Sequence, residues 1–307
     1  MRPRGRAVAV AVALGVSLTG CVAAEPGTIG SAGASVSVVA TTTMLGSIAG
    51  QIAACGGGAV TTLMPIGADP HDYSPSSADV AAMVGAGLVI TNGLGLEEGL
   101  TSALATARED GAAVLEVGPA LDPQPFAGSS HSLDPHVWLD VARMATAATL
   151  IGDKLVKVTG DATYGACGRK VASNLTATDG EVAAILDGVP IGSRILVTDH
   201  DAFGYFSRAY GYTVAGVVIP GGSTLAQPSS QELAALSGTV RTAGVKAIFA
   251  NTANPTALIE ALAKESGQRV AVVQLYVGSL GPPGSGADTY SGMMLTNARR
   301  IADALLG

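Results

Sequence analysis

Histidine is the residue type in this chain best suited to chemistry near neutral pH, and it is scarce. The 307 residues contain four, His71, His131, His136 and His200, all in segments predicted to be loops. Imidazole nitrogen is a common ligand of zinc and similar cations, and structural zinc sites take four donors. A single histidine of this kind is more readily explained as structural, so the interpretation depends on their combined placement.

Three of the histidines occur in related local sequences. His71 and His136 each complete an Asp-Pro-His unit, and His200 comes shortly after the predicted strand Ile195-Leu196-Val197. Proline fixes the backbone just before a histidine, which reduces the entropy lost when the side chain is held as a ligand. The sequence has no His-Glu-x-x-His, the helical signature of many metalloproteases. The pattern predicts a metal site assembled from distant loops.

Short β-rich runs alternate with helical stretches, first over residues 36–117 and again over 194–306, with four predicted strands in each set. A mostly helical stretch with a break near Gly160 separates the two sets. This alternation predicts parallel sheets with helices on both faces, whose ligands bind beyond the carboxyl ends of the strands. We therefore predict an α/β fold of two similar lobes with four-stranded parallel sheets, joined by a long connecting helix, with the metal site in the cleft between the lobes.

The N-terminus has the features of a bacterial lipoprotein signal. Three arginines precede an apolar run, Ala7 to Leu18, which is too short to span a bilayer and leads into Leu18-Thr19-Gly20-Cys21. We predict an extracytoplasmic protein with lipidated Cys21 anchored to the cell membrane. The alternative is an ordinary secretory signal with an incidental cysteine.

The predicted domain organisation follows from these features. It consists of a signal peptide (1–20), a flexible tether (21–35), an N-terminal lobe (36–161), the connecting helix (162–187) and a C-terminal lobe (188–307).

Hydrophobic residues make up 48% of the chain and charged residues 13%, which excludes a disordered or nucleic-acid-binding protein. The net charge of −7 attracts cations.

Two further cysteines, Cys55 and Cys167, remain after the predicted lipidation site. In an oxidising compartment they can form one disulfide, which we predict. The alternative is a pair of buried free thiols.

Three segments resemble the signatures of a known family, the zinc- and manganese-specific solute-binding lipoproteins of bacterial metal ABC transporters (the periplasmic zinc-binding proteins). They are Pro-Ile-Gly-Ala-Asp-Pro-His-Asp-Tyr-Ser-Pro (65–75), Asp-Pro-His-Val-Trp-Leu-Asp (134–140) and His-Asp-Ala-Phe-Gly-Tyr-Phe (200–206). The resemblance covers nearly the whole mature chain. It implies a binding protein rather than an enzyme, with the same two-lobe architecture and a membrane permease as partner.

The resemblance also implies the ligand set. Each segment supplies one ligand, which gives His71 and His136 from the first lobe and His200 from the second. A carboxylate shortly before the last helix usually supplies the fourth, and Asp288 fits that position. The position of Asp288 also suits a helix N-cap.

Two features depart from the family pattern. Residues 121–133 contain a single histidine, His131, where zinc-specific members often have a histidine-rich loop. We treat His131 as a surface residue, with a transient metal ligand as the alternative. Asn251 ends a predicted strand where some relatives have an acid, and we expect it to line the cleft without binding the metal.

Three imidazoles and one carboxylate favour zinc over manganese, which usually takes more oxygen ligands. A carboxylate bound through both oxygens would favour manganese, so a manganese-binding protein is the first alternative. A zinc hydrolase with Asp199 or Asp201 as general base is the second, and a surface adhesin the third. The protein is expected to act as a monomer.

Overall fold

Two four-stranded sheets carry the loops in which the histidines lie. The computed structural model describes residues 36–127, 129, 132–219, 221–267 and 269–307. The first sheet has the strand order β2-β1-β3-β4, with β1 at Val38–Ala40, β2 at Val60–Thr62, β3 at Leu88–Thr91 and β4 at Ala113–Glu116. The second has the order β6-β5-β7-β8, with β5 at Ile195–Thr198, β6 at Thr213–Val217, β7 at Ala247–Asn251 and β8 at Ala271–Leu275. Every strand pair in both sheets is parallel, as the alternation predicts.

Helices flank both sheets. In the first half they are α1 (Thr43–Cys55), α2 (Ser77–Val84) and α3 (Thr101–Glu109). Two longer helices follow, α4 (Val141–Thr159) and α5 (Thr163–Asp187). The second half contains α6 (Gly204–Tyr210), α7 (Ser230–Thr242), α8 (Ala257–Glu265) and α9 (Tyr290–Leu306). The predicted fold class, two α/β halves with a long helix between their sheets, is confirmed.

The local sequence explains where the elements lie. All residues of β3 and β7 are buried, because a parallel sheet covered on both faces has no solvent-facing side. Ser76 caps α2, accepting a hydrogen bond from the backbone N–H of Asp79, whose carboxylate bonds back to the cap. Helix α4 ends at Gly160, whose φ of 75° is left-handed, at the break that the sequence predicts.

One hydrophobic core passes through both halves of the molecule. It includes Ile48 and Ile90 from the first half and Phe206 and Met293 from the second. Helix α5 packs against α4, α1 and α9, so it contributes to this core along its length. A shared core of this kind restricts the movement of one sheet relative to the other.

Glycines allow α4 and α5 to approach closely. A Cβ on Gly152 would lie 2.8 Å from the Cα of Gly168, and one on Gly168 would lie 2.8 Å from the carbonyl oxygen of Ala148. Cys55, at the end of α1, is bonded to Cys167 in α5, with their Cα atoms 5.9 Å apart. Helix α5 is therefore fixed to the first half by packing and by a covalent bond.

Some of the predictions concern residues outside those described. These are the signal peptide, the tether, the lipidated Cys21 and the surface residue His131. Within the described part of the chain, no helix is both long enough and apolar enough to cross a membrane.

Candidate metal centre

His71 lies in the loop that follows β2. Its backbone N–H donates a 3.0 Å hydrogen bond to Asp69 Oδ1, so the aspartate of the Asp-Pro-His unit fixes the turn. The ring is half-buried and lines a cavity of about 220 Å³ together with Phe126, Pro135 and Gly222. The site is therefore most accessible from the side of His71.

His136 lies just before a 3-10 turn, Val137–Leu139, and is completely buried, with 0% of its surface exposed. Asp134 Oδ1 accepts the backbone N–H of His136 at 2.9 Å and lies 2.8 Å from its Nδ1. The second Asp-Pro-His unit thus repeats the turn of the first and also holds the ring. An Nδ1 proton shared with the carboxylate leaves the Nε2 lone pair free for a metal.

His200 comes two residues after the end of β5 and is also buried. Its Nδ1 lies 3.0 Å from Asp199 Oδ1, while Asp199 Oδ2 accepts the backbone N–H of Asn251 at 3.1 Å. The carboxylate of Asp199 therefore ties the ring of His200 to the end of the neighbouring strand β7. As at His136, a carboxylate on Nδ1 leaves Nε2 as the nitrogen that could bind a metal.

The structure brings these three histidines together. One nitrogen from each of them lies within 4.8 Å of the others, and Nε2 of His71 is 3.2 Å from Nε2 of His136. Two nitrogen ligands about 2.0–2.1 Å from a tetrahedral zinc ion lie at about this separation. The ring centroids of His136 and His200 are 5.1 Å apart. The three imidazoles are thus arranged to bind one metal ion.

Burial keeps two of these rings neutral. It lowers the pKa of His71 to about 3, with the nearby imidazoles of His136 and His200 acting in the same direction. The pKa of His136 is held well below its usual value, mainly by burial and to a smaller extent by the nearby imidazole of His200. Burial also raises the pKa of Asp134 to about 7. Neutral imidazole is the form that binds a metal, so His71 and His136 need not lose a proton first.

His200 differs from the other two histidines. Burial alone would lower its pKa, but the neighbouring carboxylates, Asp199 first and then Asp69 and Asp201, together outweigh burial and raise the pKa above the usual 6.5. At pH values below that raised pKa, the metal-free site carries a proton on His200 that an incoming metal ion must displace. Metal affinity is therefore expected to rise with pH until His200 is neutral.

Replacement of Asp199 with asparagine tests this pH dependence. Asparagine can still accept a hydrogen bond from Nδ1 but lacks the largest of the charges that raise the pKa of His200, so the rise in affinity should move to lower pH. Calorimetric titration in two buffers of different ionisation enthalpy measures the protons released per bound ion. An unchanged pH profile in Asp199→Asn would show that another group carries the displaced proton.

Asp288 does not join the histidines. Its side chain is exposed, and its Oδ2 accepts a 3.4 Å hydrogen bond from the backbone N–H of Gly284. The helix cap is supplied instead by Thr289, which accepts the backbone N–H of Gly292. The loop before α9 thus turns the carboxylate outward, and the expected fourth ligand is not part of the cluster that the structure describes.

The sequence interpretation overlooked the role of the carboxylates that orient the rings. Asp199 had been considered only as the general base of an alternative enzyme, and Asp134 only as part of a motif. The available signal was the position of each aspartate, one residue before His200 and two residues before His136. From there a short side chain can reach the ring or backbone nitrogen of the histidine.

Comparison with known proteins identifies the family. Residues 38–304 match the family described as ZnuA, zinc-uptake complex component A periplasmic. The chain belongs to this family. The resemblance inferred from the three segments is thereby confirmed, and the family and its relatives are binding proteins rather than enzymes.

The zinc-binding protein TroA of Treponema pallidum is 33% identical to this chain over 251 residues, 79% of this chain and 80% of the relative. The manganese-binding lipoprotein MntA of Halalkalibacterium halodurans is 28% identical over 298 residues, 96% and 97% of the two chains. The solved structure of the T. pallidum protein has a TM-score of 0.82 at 30% identity, covering 89% of this chain and 99% of that one. The solved relative thus shares the fold, and the two relatives are named for different metals.

Proposed function

We propose that this protein captures Zn(II) outside the cytoplasm and delivers it to the membrane permease of an ABC-type importer. The main support is the cluster of His71, His136 and His200, whose ligand nitrogens all lie within 4.8 Å of one another. Membership of the periplasmic zinc-uptake family supports the transport role. Lipidation of Cys21 would hold the protein close to its permease.

Zinc is preferred over manganese because of the donor set. Three neutral imidazoles suit a borderline cation, whereas manganese favours carboxylate, carbonyl and water oxygens. With Asp288 exposed, the protein donors of the proposed site are nitrogen alone. For a given set of ligands the affinity order also places zinc above manganese. A manganese carrier is the alternative outcome, since one of the relatives is named for manganese.

A role in metal transport also fits the way in which the proposed ligands are held. His71 and His136 come from the part of the chain before α4, and His200 follows β5 in the second half. A bound ion would therefore link loops from both halves and stabilise their contact. Buried carboxylates fix the rings of His136 and His200 in advance, which reduces the entropy lost on binding.

Metal competition tests the proposal. Residues 22–307, stripped of metal and offered equal zinc and manganese, should retain about one zinc ion per chain after desalting and very little manganese. The double variant His71→Ala/His200→Ala should retain neither metal. Retention of manganese over zinc would overturn the choice of metal, and retention of no divalent metal would overturn the function.

A further inference from the structure

The described residues supply fewer donors than zinc requires. Tetrahedral zinc takes four ligands, and the described residues place three histidines and no carboxylate or thiolate within ligand distance of one another. The nearby carboxylates of Asp134 and Asp199 are already bound to histidine Nδ1 atoms. Among the residues that the structure describes, none is left to supply the fourth ligand.

Asn251, the last residue of β7, is 1% exposed and has an unusual amide. Its Oδ1 accepts the backbone N–H groups of Ala253 at 3.1 Å and Gly278 at 3.4 Å. These two contacts fix the orientation of the amide. A 180° flip would place the N–H groups of Nδ2 against two other N–H donors. In this orientation Nδ2 is buried and has no acceptor among the described residues. A buried donor without an acceptor is costly, so buried donors in native structures are nearly always paired with the protein, an ordered water or a ligand.

The unpaired Nδ2 lies close to the loop that carries His71, and the backbone of Asn251 is bonded to the loop that carries His200. A Cβ on Gly278 would be 3.3 Å from this nitrogen and 3.0 Å from Cδ of Pro70, the residue before His71. The backbone N–H of Asn251 donates to Asp199, the residue that holds the ring of His200. The amide N–H is thus placed beside the metal-binding loops with its hydrogen-bonding capacity unused.

We infer that the fourth ligand of the bound metal is a small exogenous oxygen donor, and that Asn251 Nδ2 donates a hydrogen bond to it. Water, hydroxide or a small oxyanion such as bicarbonate has the required chemistry, since each offers an oxygen lone pair to the metal and another to the amide. The inference depends on the proposed metal-binding function and adds a ligand to it. Asn251 is then a positioning residue for a ligand that the protein does not provide.

Cobalt(II) reports this ligand, because its visible spectrum changes with the donor set. The full chain loaded with cobalt should bind azide in place of the exogenous donor, with a saturable spectral change. Adding bicarbonate to protein loaded in a bicarbonate-free, non-coordinating buffer distinguishes an oxyanion ligand from water or hydroxide. A spectral change identifies an oxyanion ligand, and no change together with azide binding identifies water or hydroxide.

Asn251→Asp is the informative variant. It keeps the oxygen that accepts from Ala253 and Gly278 but replaces the free donor with an acceptor, so azide should bind at least about tenfold more weakly. Ser207→Ala is the matched control, because Ser207 Oγ is the other buried side-chain atom without a partner in the described part of the chain. Its azide affinity should equal that of the unmodified protein.

Two outcomes would overturn the inference. One is a cobalt spectrum of the unmodified protein that azide leaves unchanged, which would mean that the protein fills all four positions. The other is equal azide affinity in Asn251→Asp and the unmodified protein. Both leave the proposed function intact if cobalt is still bound, whereas failure to bind cobalt or zinc at all would refute the function itself.

Discussion

Replacement of His136 with alanine is expected to lower zinc affinity by more than about a hundredfold, because loss of even an outer partner of a metal ligand commonly costs 10- to 100-fold. His136 is the most deeply buried of the three proposed ligands, and its Nε2 is 3.2 Å from Nε2 of His71. Alanine would leave two nitrogens, which cannot hold zinc in a closed site. Titration against a chelator of known zinc affinity measures the loss.

Asp288→Ala is the matched control for this experiment. Asp288 is exposed, and within the described part of the chain it bonds only to the backbone of its own loop, so its removal should change zinc affinity by no more than about twofold. Thermal unfolding of both metal-free variants should confirm that each is folded before affinity is compared. A loss in Asp288→Ala as large as that in His136→Ala would show that the carboxylate reaches the metal.

The sequence predicts much of this site because its signals are local. Proline and aspartate next to His71 and His136 form a turn that can be recognised within three residues, and His200 follows a buried strand. Alternation of strand and helix predicts parallel sheets. In such sheets the loops that follow the strands lie at the same edge, beyond the carboxyl ends of the strands. The three histidines could therefore be grouped without knowledge of their contacts.

The remaining features depend on contacts that local sequence does not specify. Asp288 has a suitable residue type and position in the chain, but the turn from Gly284 directs it outward. The unpaired amide of Asn251 results from contacts with Ala253 and Gly278, the latter 27 residues away. Such tertiary details decide which polar atoms face a metal, so they become visible only in the folded structure.

Loss of the disulfide between Cys55 and Cys167 is expected to cost about 4–5 kcal/mol of unfolding free energy if chain entropy dominates, and roughly 2–5 kcal/mol on the basis of native bridges in other proteins. The two cysteines are 112 residues apart, so the bond closes a long loop of the unfolded chain. Urea unfolding of the metal-free protein, with and without Cys55→Ala/Cys167→Ala, measures the difference. The slope of the unfolding curve should rise as well, because an unbridged unfolded chain exposes more surface.

The single variants separate the bond from the packing around it. Cys55 is exposed, whereas Cys167 is 3% exposed and packs in the core, so Cys55→Ala breaks the bridge while it leaves the buried sulfur in place. If the covalent link provides the stability, Cys55→Ala should account for most of the loss in the double variant. A small loss in Cys55→Ala and a large one in Cys167→Ala would instead assign the stability to core packing. Zinc affinity should be unchanged in Cys55→Ala at temperatures where the protein is folded, since the bridge joins α1 to α5 and not to the histidine loops.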